Sequence, residues 1–105
     1  MKIKSLKNKK LIETLFKSNL FVVQNEIKVS RDNGKENPPF FCVSVPKKHF
    51  SRAVDRNKIR RRIKAALCNI NIRLSGNYLV VYKNLNIMTY KEIERTLTHI
   101  FILSN

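Results

Sequence analysis

The stretch AVDRNKIRRRIKAAL, residues 53–67, combines an apolar stripe with a dense run of positive charge. Six of the nine residues from Arg56 to Lys64 are basic, and Ile59 and Ile63 stand among them at helical spacing. At about 100° per residue, the apolar positions cover roughly a third of a helix, the width of a core-facing stripe. The pattern predicts a helix from about residue 52 to residue 73, packed on other elements through Ile59, Ile63, Ala66, Leu67, Ile70 and Leu74.

The opposite side of this helix is basic. We expect Asn57, Arg60, Arg61 and Lys64 to cluster there, with Arg56 and Arg62 flanking the apolar stripe and extending their charged ends outward. Charged helix faces usually mix signs and form ion pairs between neighbouring turns. Here Asp55 is the nearby acid, so the cations repel one another until an anion binds. An ordinary solvated face is the alternative, but the pattern favours phosphate binding, to which arginine donates paired hydrogen bonds.

Shorter patterns precede the basic helix. Residues 8–17 predict a helix with Asn8 as N-cap, and NEIKVS, residues 25–30, predicts a half-buried strand that starts there or at LFVV before it. SRDNGKENPP, residues 30–39, is rich in turn-forming residues and predicts a loop, interpreted as a hairpin connection. FFCVSV, residues 40–45, predicts a second strand.

After Pro46 either Ser51 or Asp55 is expected to cap the basic helix. YLVVY, residues 78–82, is almost continuously apolar, which predicts a central strand covered on both faces. Thr89 and Glu92 form a capping-box pattern at the start of a last helix, TYKEIERTLTHIFIL. The order helix, strand, strand, helix, strand, helix predicts an α+β fold, and a length of 105 residues predicts one domain, 1–105.

The composition points to a polyanionic partner. Lys and Arg number 22 against 7 Asp and Glu, which gives a net charge of +15, and nucleic acid is the first expected partner. The N-terminus lacks a secretory signal and no apolar run is long enough to span a bilayer, so we expect a cytoplasmic protein with no membrane partner. Cys42 and Cys68 fit no metal-ligand spacing and are expected to be buried. The acids are scattered and His49 and His99 are isolated, so no catalytic or metal-binding residue is expected.

The segment KKHFSRAVDRNKIRRRIKAAL, residues 47–67, resembles the signature of the bacterial ribonuclease P protein family. Arg56, Asn57, Arg60, Arg61 and Lys64 occupy the motif positions, and the order and spacing of the other segments agree over about ninety residues. The resemblance implies an α/β sandwich, helix-strand-strand-(strand)-helix-strand-helix. It also implies a left-handed crossover, against the usual right-handed default.

The resemblance further implies a function. Similar proteins are subunits of an endonuclease: they bind the catalytic RNA of ribonuclease P, which removes the 5′ leader from precursor tRNA. No catalytic residue and no obligate protein partner are expected, and Mg²⁺ held mainly by the RNA, with none bound tightly by the protein, performs the hydrolysis. A structural RNA-binding protein, such as a small ribosomal protein, is the alternative. The expected RNA-binding residues are Lys47, Lys48, Arg52, Arg56, Asn57, Lys58, Arg60, Arg61, Arg62 and Lys64.

A cleft between the first helix and the open sheet face is expected to take the single-stranded leader. An aromatic ring beside polar side chains suits stacking that tolerates any base. Core packing is the alternative for Phe16, and an ordinary solvent face is the alternative for the other three positions. The expected cleft residues are Phe16, Lys28, Ser30 and Ser44.

Overall fold

The computed structural model describes residues 2–104, in which five strands form one mixed sheet and three helices pack on it. The strands run in the order β1-β4-β5-β3-β2. This arrangement confirms the predicted α+β class and adds a short first strand that the sequence analysis did not predict. The elements are β1 (Lys4–Ser5), α1 (Lys9–Phe16), β2 (Phe21–Gln24), β3 (Ile27–Arg31), β4 (Phe40–Ser44), α2 (Ala53–Asn69), β5 (Asn77–Tyr82) and α3 (Tyr90–Ser104).

The strand predicted over residues 25–30 is confirmed as β3, and the preceding segment forms β2, which pairs with it in a hairpin. Asn25 and Glu26 have positive φ angles of 50° and 60° and form a two-residue turn between β2 and β3. Such turns require the left-handed region at both central positions, which asparagine tolerates better than most residues. The register pairs Phe21 with Ser30 and Val23 with Lys28, so these four side chains share one face of the sheet.

The prediction that residues 30–39 connect a hairpin is wrong, because β5 lies between β3 and β4. β5 is antiparallel to β3 and parallel to β4. Asp32 fastens the loop to the start of β5: its Oδ1 accepts hydrogen bonds from the backbone N–H groups of Gly34, at 2.9 Å, and Asn77, at 3.0 Å. Burial raises the pKa of Asp32, but the hydrogen bonds from Asn77 and Gly34 outweigh it and hold that pKa below its usual value. β4, α2 and β5 form the crossover connection, whose left-handed sense stays a prediction.

β5 is the centre of the sheet, as predicted, because all six of its residues are buried. On one face Val80 and Tyr82 join the main core, to which α2 and α3 contribute Ile63 and Leu97. On the other face Leu79 packs in a smaller cluster beneath α1. Each face of β5 is thus covered by helices, which explains its unbroken apolar sequence.

The basic helix is shorter than predicted and is capped differently. It ends at Asn69, because Ile70 is extended (φ −71°, ψ 129°), although Ile70 and Leu74 are buried beyond its end. Neither Ser51 nor Asp55 is the N-cap: Arg52 holds that position and its side chain makes no capping bond. Asp55 instead lies in the first turn, where a negative charge is favourable for the helix dipole.

The other two predicted caps are confirmed. Asn8 Oδ1 accepts a hydrogen bond from the Leu11 N–H group at 3.2 Å. Thr89 and Glu92 exchange hydrogen bonds: the Glu92 N–H donates to Thr89 Oγ1, at 3.2 Å, and the Thr89 N–H donates to Glu92 Oε1, at 3.1 Å. Cys42 is partly buried, whereas Cys68 is exposed at the end of α2, so the prediction of burial is wrong for Cys68. Cys68 directly follows Leu67, and the rotation of about 100° per residue turns it away from the apolar stripe.

Candidate nucleic-acid interface

α2 is fixed to the sheet by its apolar stripe. Ile59, Ile63, Ala66 and Leu67 are all 0% exposed, which confirms the predicted inner face. Burying these side chains stabilises the packed helix by about 1.5–3 kcal/mol for each large one. The helix therefore has one fixed orientation, and its opposite side faces outward.

The outward side carries the predicted basic ridge, which we define as Asn57, Arg60, Arg61 and Lys64. Together with Val54 these side chains line one shallow, open groove. Arg60 Nη1 donates a hydrogen bond to Asn57 Oδ1 at 3.3 Å, which leaves the Asn57 amide group available as a donor. The structure thus brings the four residues together on one surface.

Apart from Asp55 in its first turn, α2 carries only positive charges. Over residues 2–104, none of the guanidinium or ammonium groups of α2 forms a salt bridge with a carboxylate. Asp32 and Glu36 instead accept hydrogen bonds from Asn77 at the start of β5. Unpaired cations on a rigid helix are an arrangement that a bound polyanion stabilises.

Two of the predicted RNA-binding arginines point toward backbone carbonyl groups and not into solvent. Arg56 Nη1 donates to the carbonyl oxygens of Phe50 and Ser51, both at 2.8 Å. Arg62 Nη1 donates to the carbonyl oxygen of Met88 at 2.6 Å. The prediction that both charged ends extend outward is therefore wrong. Each side chain reaches around the apolar stripe to backbone oxygens that the sequence pattern does not bring near it.

The turn before α2 adds further exposed cations. Lys47 and Lys48 lie in a tight turn in which the Pro46 carbonyl accepts hydrogen bonds from the N–H groups of His49, at 3.2 Å, and Phe50, at 3.3 Å. Arg52 and Lys58 are exposed as well, at the start of α2 and in its second turn. The exposed cations of the predicted interface thus extend from this turn along α2.

A second surface lies on the sheet face that carries α1. Phe16 is 50% exposed at the end of α1, which excludes the alternative of core packing. Lys28 on β3 and Ser44 on β4 are partly buried on this face, and both pair with Val81 of β5. Ser30 is 0% exposed, so the prediction that its hydroxyl lies on the open surface is wrong. It lies between Phe21 of β2 and Leu79 of β5 in the sheet.

The sequence analysis missed two exposed residues of this surface, Phe21 and Val23. Each is 47% exposed, and the Lys28 ammonium lies 4.3 Å from the centre of the Phe21 ring. A cation over an aromatic face at this distance is attracted to it. The available signal was the alternation in FVVQNEIKVS around a two-residue turn, which sets this register.

The two surfaces approach each other at β4. Burial raises the pKa of the Cys42 thiol, and the positive charges of Arg60 and Lys64 oppose that rise. Cys42 lies on the α1 side of β4, where it packs against the smaller apolar cluster. The charges of two ridge residues therefore act on a thiol of the sheet face that carries α1.

No helix within residues 2–104 is both long and apolar enough to cross a membrane. In the same range, no three His, Cys, Asp or Glu side chains come close enough together to hold a metal ion.

Comparisons with known proteins agree with this geometry. The family model described as Ribonuclease P matches residues 1–103. A curated relative, the ribonuclease P protein component of Nitrosococcus oceani, is 44% identical over 43 residues; the match spans 41% of this chain and 36% of that protein. The S. aureus ribonuclease P protein superposes with a TM-score of 0.81 at 23% identity, covering 99% of this chain and 97% of that one.

The Thermotoga maritima ribonuclease P protein has the same fold, with a TM-score of 0.73 at 14% identity over 91% of this chain and 93% of that one. At such identities the two solved structures support the fold alone. The family model, in contrast, covers nearly the entire sequence, including the basic helix and the strands on either side of it. This chain belongs to the ribonuclease P protein family.

Proposed function

We propose that the chain is the RNA-binding subunit of a ribonuclease P holoenzyme that removes 5′ leaders from precursor tRNA in the cytoplasm. In this proposal residues 1–105 act as one RNA-binding domain. The catalytic RNA binds along α2 and the turn before it, and the leader binds on the α1 face of the sheet. The observation that carries the proposal is the basic ridge: its helix is packed on the core, and its cations form no salt bridge with a carboxylate of residues 2–104.

The contact with the catalytic RNA is electrostatic and oriented. The planar guanidinium groups of Arg60 and Arg61 can each donate two parallel hydrogen bonds to a phosphate. The amide of Asn57 can bond to a 2′-hydroxyl or to a base edge. Because the helix is already rigid, little ordering cost opposes these contacts. The exposed members of the proposed contact set are Lys47, Lys48, Arg52, Asn57, Lys58, Arg61 and Lys64, with Arg60 partly buried beside them.

The leader contact combines stacking with charge. Phe16 and Phe21 expose aromatic rings on which bases stack whatever their sequence, and Lys28 supplies a cation beside Phe21. Ser44 lies on the same face, where it pairs with Val81 of β5.

The chemistry in this proposal belongs to Mg²⁺ held mainly by the RNA. The chain offers only 7 acidic residues, and two of them, Asp32 and Glu36, are engaged by Asn77. The protein's contribution is affinity: its net charge of +15 offsets the repulsion between two RNA molecules. It holds the substrate near the metal ions without acting on the phosphodiester itself.

Reconstitution tests the proposal. We expect the protein to co-purify with one RNA, and the recombined pair to cleave precursor tRNA at low Mg²⁺ concentrations where neither component does so alone. RNA binding without any stimulation of cleavage would favour a structural RNA-binding protein instead. Cleavage by the protein alone would contradict the assignment of the chemistry to RNA-held metal.

A further inference from the structure

The guanidinium group of Arg56 holds the backbone just before its own helix. Both protons of its Nη1 nitrogen are donated, one to the Phe50 carbonyl and one to the Ser51 carbonyl, each at 2.8 Å. Arg52, the N-cap residue, makes no side-chain capping bond. Arg56 therefore supplies the side-chain link between the first turn of α2 and the residues that precede it.

The segment held in this way carries two of the exposed lysines. Residues 46–50 form a tight turn closed by the two hydrogen bonds to the Pro46 carbonyl. One end of the turn continues from Val45, which is buried, and the other ends at Phe50, whose ring packs 6.0 Å from that of Tyr82. Lys47 and Lys48 project from this turn, and their position depends on how firmly both ends are held.

We propose that Arg56 is a positioning residue. It strengthens RNA binding by holding the turn that carries Lys47 and Lys48, and its own charge does not contact the RNA. The inference rests on the proposed function, since it assumes that the two lysines contact RNA. Without the Arg56 bonds the turn is held less firmly, so RNA binding has to order it at a cost in conformational entropy. Arg60 and Arg61, which face outward from the same helix, act by direct contact.

A double-mutant cycle separates the two roles. Arg56→Gln is combined with Lys47→Ala/Lys48→Ala, and affinity for the catalytic RNA is measured over a range of salt concentrations. We expect Arg56→Gln alone to weaken binding about tenfold, the equivalent of ordering one further backbone residue. In the background that lacks both lysines, the same change should have less than about a twofold effect and leave the salt slope unaltered. An arginine that contacts phosphate would instead lower both affinity and slope, by about 0.7–0.9 in slope, in either background.

Arg62→Gln is the matched control. It removes an equivalent bond, to the Met88 carbonyl, from a segment, residues 84–89, that carries no basic residue. Its effect on affinity should be the same factor with and without the two lysines. Coupling to the lysines as strong as that of Arg56 would indicate a general loss of stability and overturn the proposal.

Hydrogen exchange in the free protein provides a readout that needs no RNA. Arg56→Gln should speed exchange of the His49 and Phe50 amide protons about tenfold, whereas Arg62→Gln should leave those two rates unchanged. Unchanged exchange in Arg56→Gln would overturn the proposal. If the native protein failed to bind the catalytic RNA, the proposed function would fall, while the exchange rates would still decide whether Arg56 orders the turn.

Discussion

At the scale of single residues, the same side-chain type has different surroundings along α2. Arg60 and Arg61 lie on the outer face, while Arg56 and Arg62 donate to backbone carbonyls of other segments. Helical periodicity predicted the direction in which each residue leaves the helix. It did not predict where a long side chain ends, because Met88 is 26 positions away from Arg62 and its approach depends on the packing of α3.

Replacing Arg60 and Arg61 by alanine should weaken binding to the catalytic RNA and reduce its salt dependence. Each lost phosphate contact removes about 0.7–0.9 from the slope of log affinity against log salt concentration. Filter binding or fluorescence titration between low and moderate salt measures this slope. Lys35→Ala, which removes one exposed charge from the loop between β3 and β4, at the end of the sheet where β4 and β5 begin, should change it little. An unaltered slope in the double alanine variant would contradict direct contact by the ridge.

Ser30 provides a second test at this scale. Its hydroxyl is buried and, within the described residues, has no hydrogen-bond partner. Leaving a buried polar group unsatisfied costs about 1–3 kcal/mol, so Ser30→Ala should be neutral or stabilising by about 1 kcal/mol. Urea unfolding measures the difference, and leader affinity should not change. A clear loss of stability would show that the hydroxyl has a partner that its surroundings do not reveal.

At the scale of elements, amphipathic helices were more predictable than strand pairing. The inner face of α2 and the capping box of α3 depend on residues within one or two turns, and the structure confirms both. The end of α2 was misplaced because Ile70 and Leu74 continue the apolar spacing after the backbone has become extended. Buried residues in a connecting segment give the same pattern as one more turn of helix.

Ile63→Asp should prevent folding. Ile63 is completely buried, and an aspartate there has no partner to compensate its charge, so the expected loss exceeds about 4 kcal/mol. Many domains have a total stability of only about 5–15 kcal/mol. Circular dichroism and urea unfolding measure the outcome, with Arg61→Asp on the exposed face as a control that should remain folded. A folded Ile63→Asp protein would show that the faces of α2 are assigned wrongly.

At the scale of the whole molecule, net charge opposes folding and favours association. The chain measures 35 × 29 × 22 Å along its principal axes and carries a charge of +15. The Debye length is about 30 Å at 0.01 M salt and about 8 Å at 0.15 M. At low salt, therefore, charges on opposite sides of the molecule still repel one another.

The free protein should accordingly become more stable as salt is added over this range, while its affinity for RNA falls. Thermal unfolding in sodium chloride measures the first effect and RNA titration the second. Phosphate at equal ionic strength should raise Tm further than chloride, because an anion that binds the folded ridge adds to screening. A Tm that stays constant or falls with salt would indicate that the cations are already compensated within the fold.

The sequence by itself determined the faces of α2, the buried centre of β5, two helix caps and the basic surface, and its family signature pointed to RNA. These features follow from side chains only a few positions apart, where local geometry fixes which of them share a face. Tertiary structure alone decided that β5 separates β3 from β4, that Ser30 is covered, and that Arg56 and Arg62 turn to backbone carbonyls. The strand order and the burial of Ser30 depend on contacts between segments that are far apart in the sequence. A local pattern of side chains does not predict such contacts. Even the bonds of Arg56 to its near neighbours depend on the path of the turn that the sheet and Phe50 hold in place.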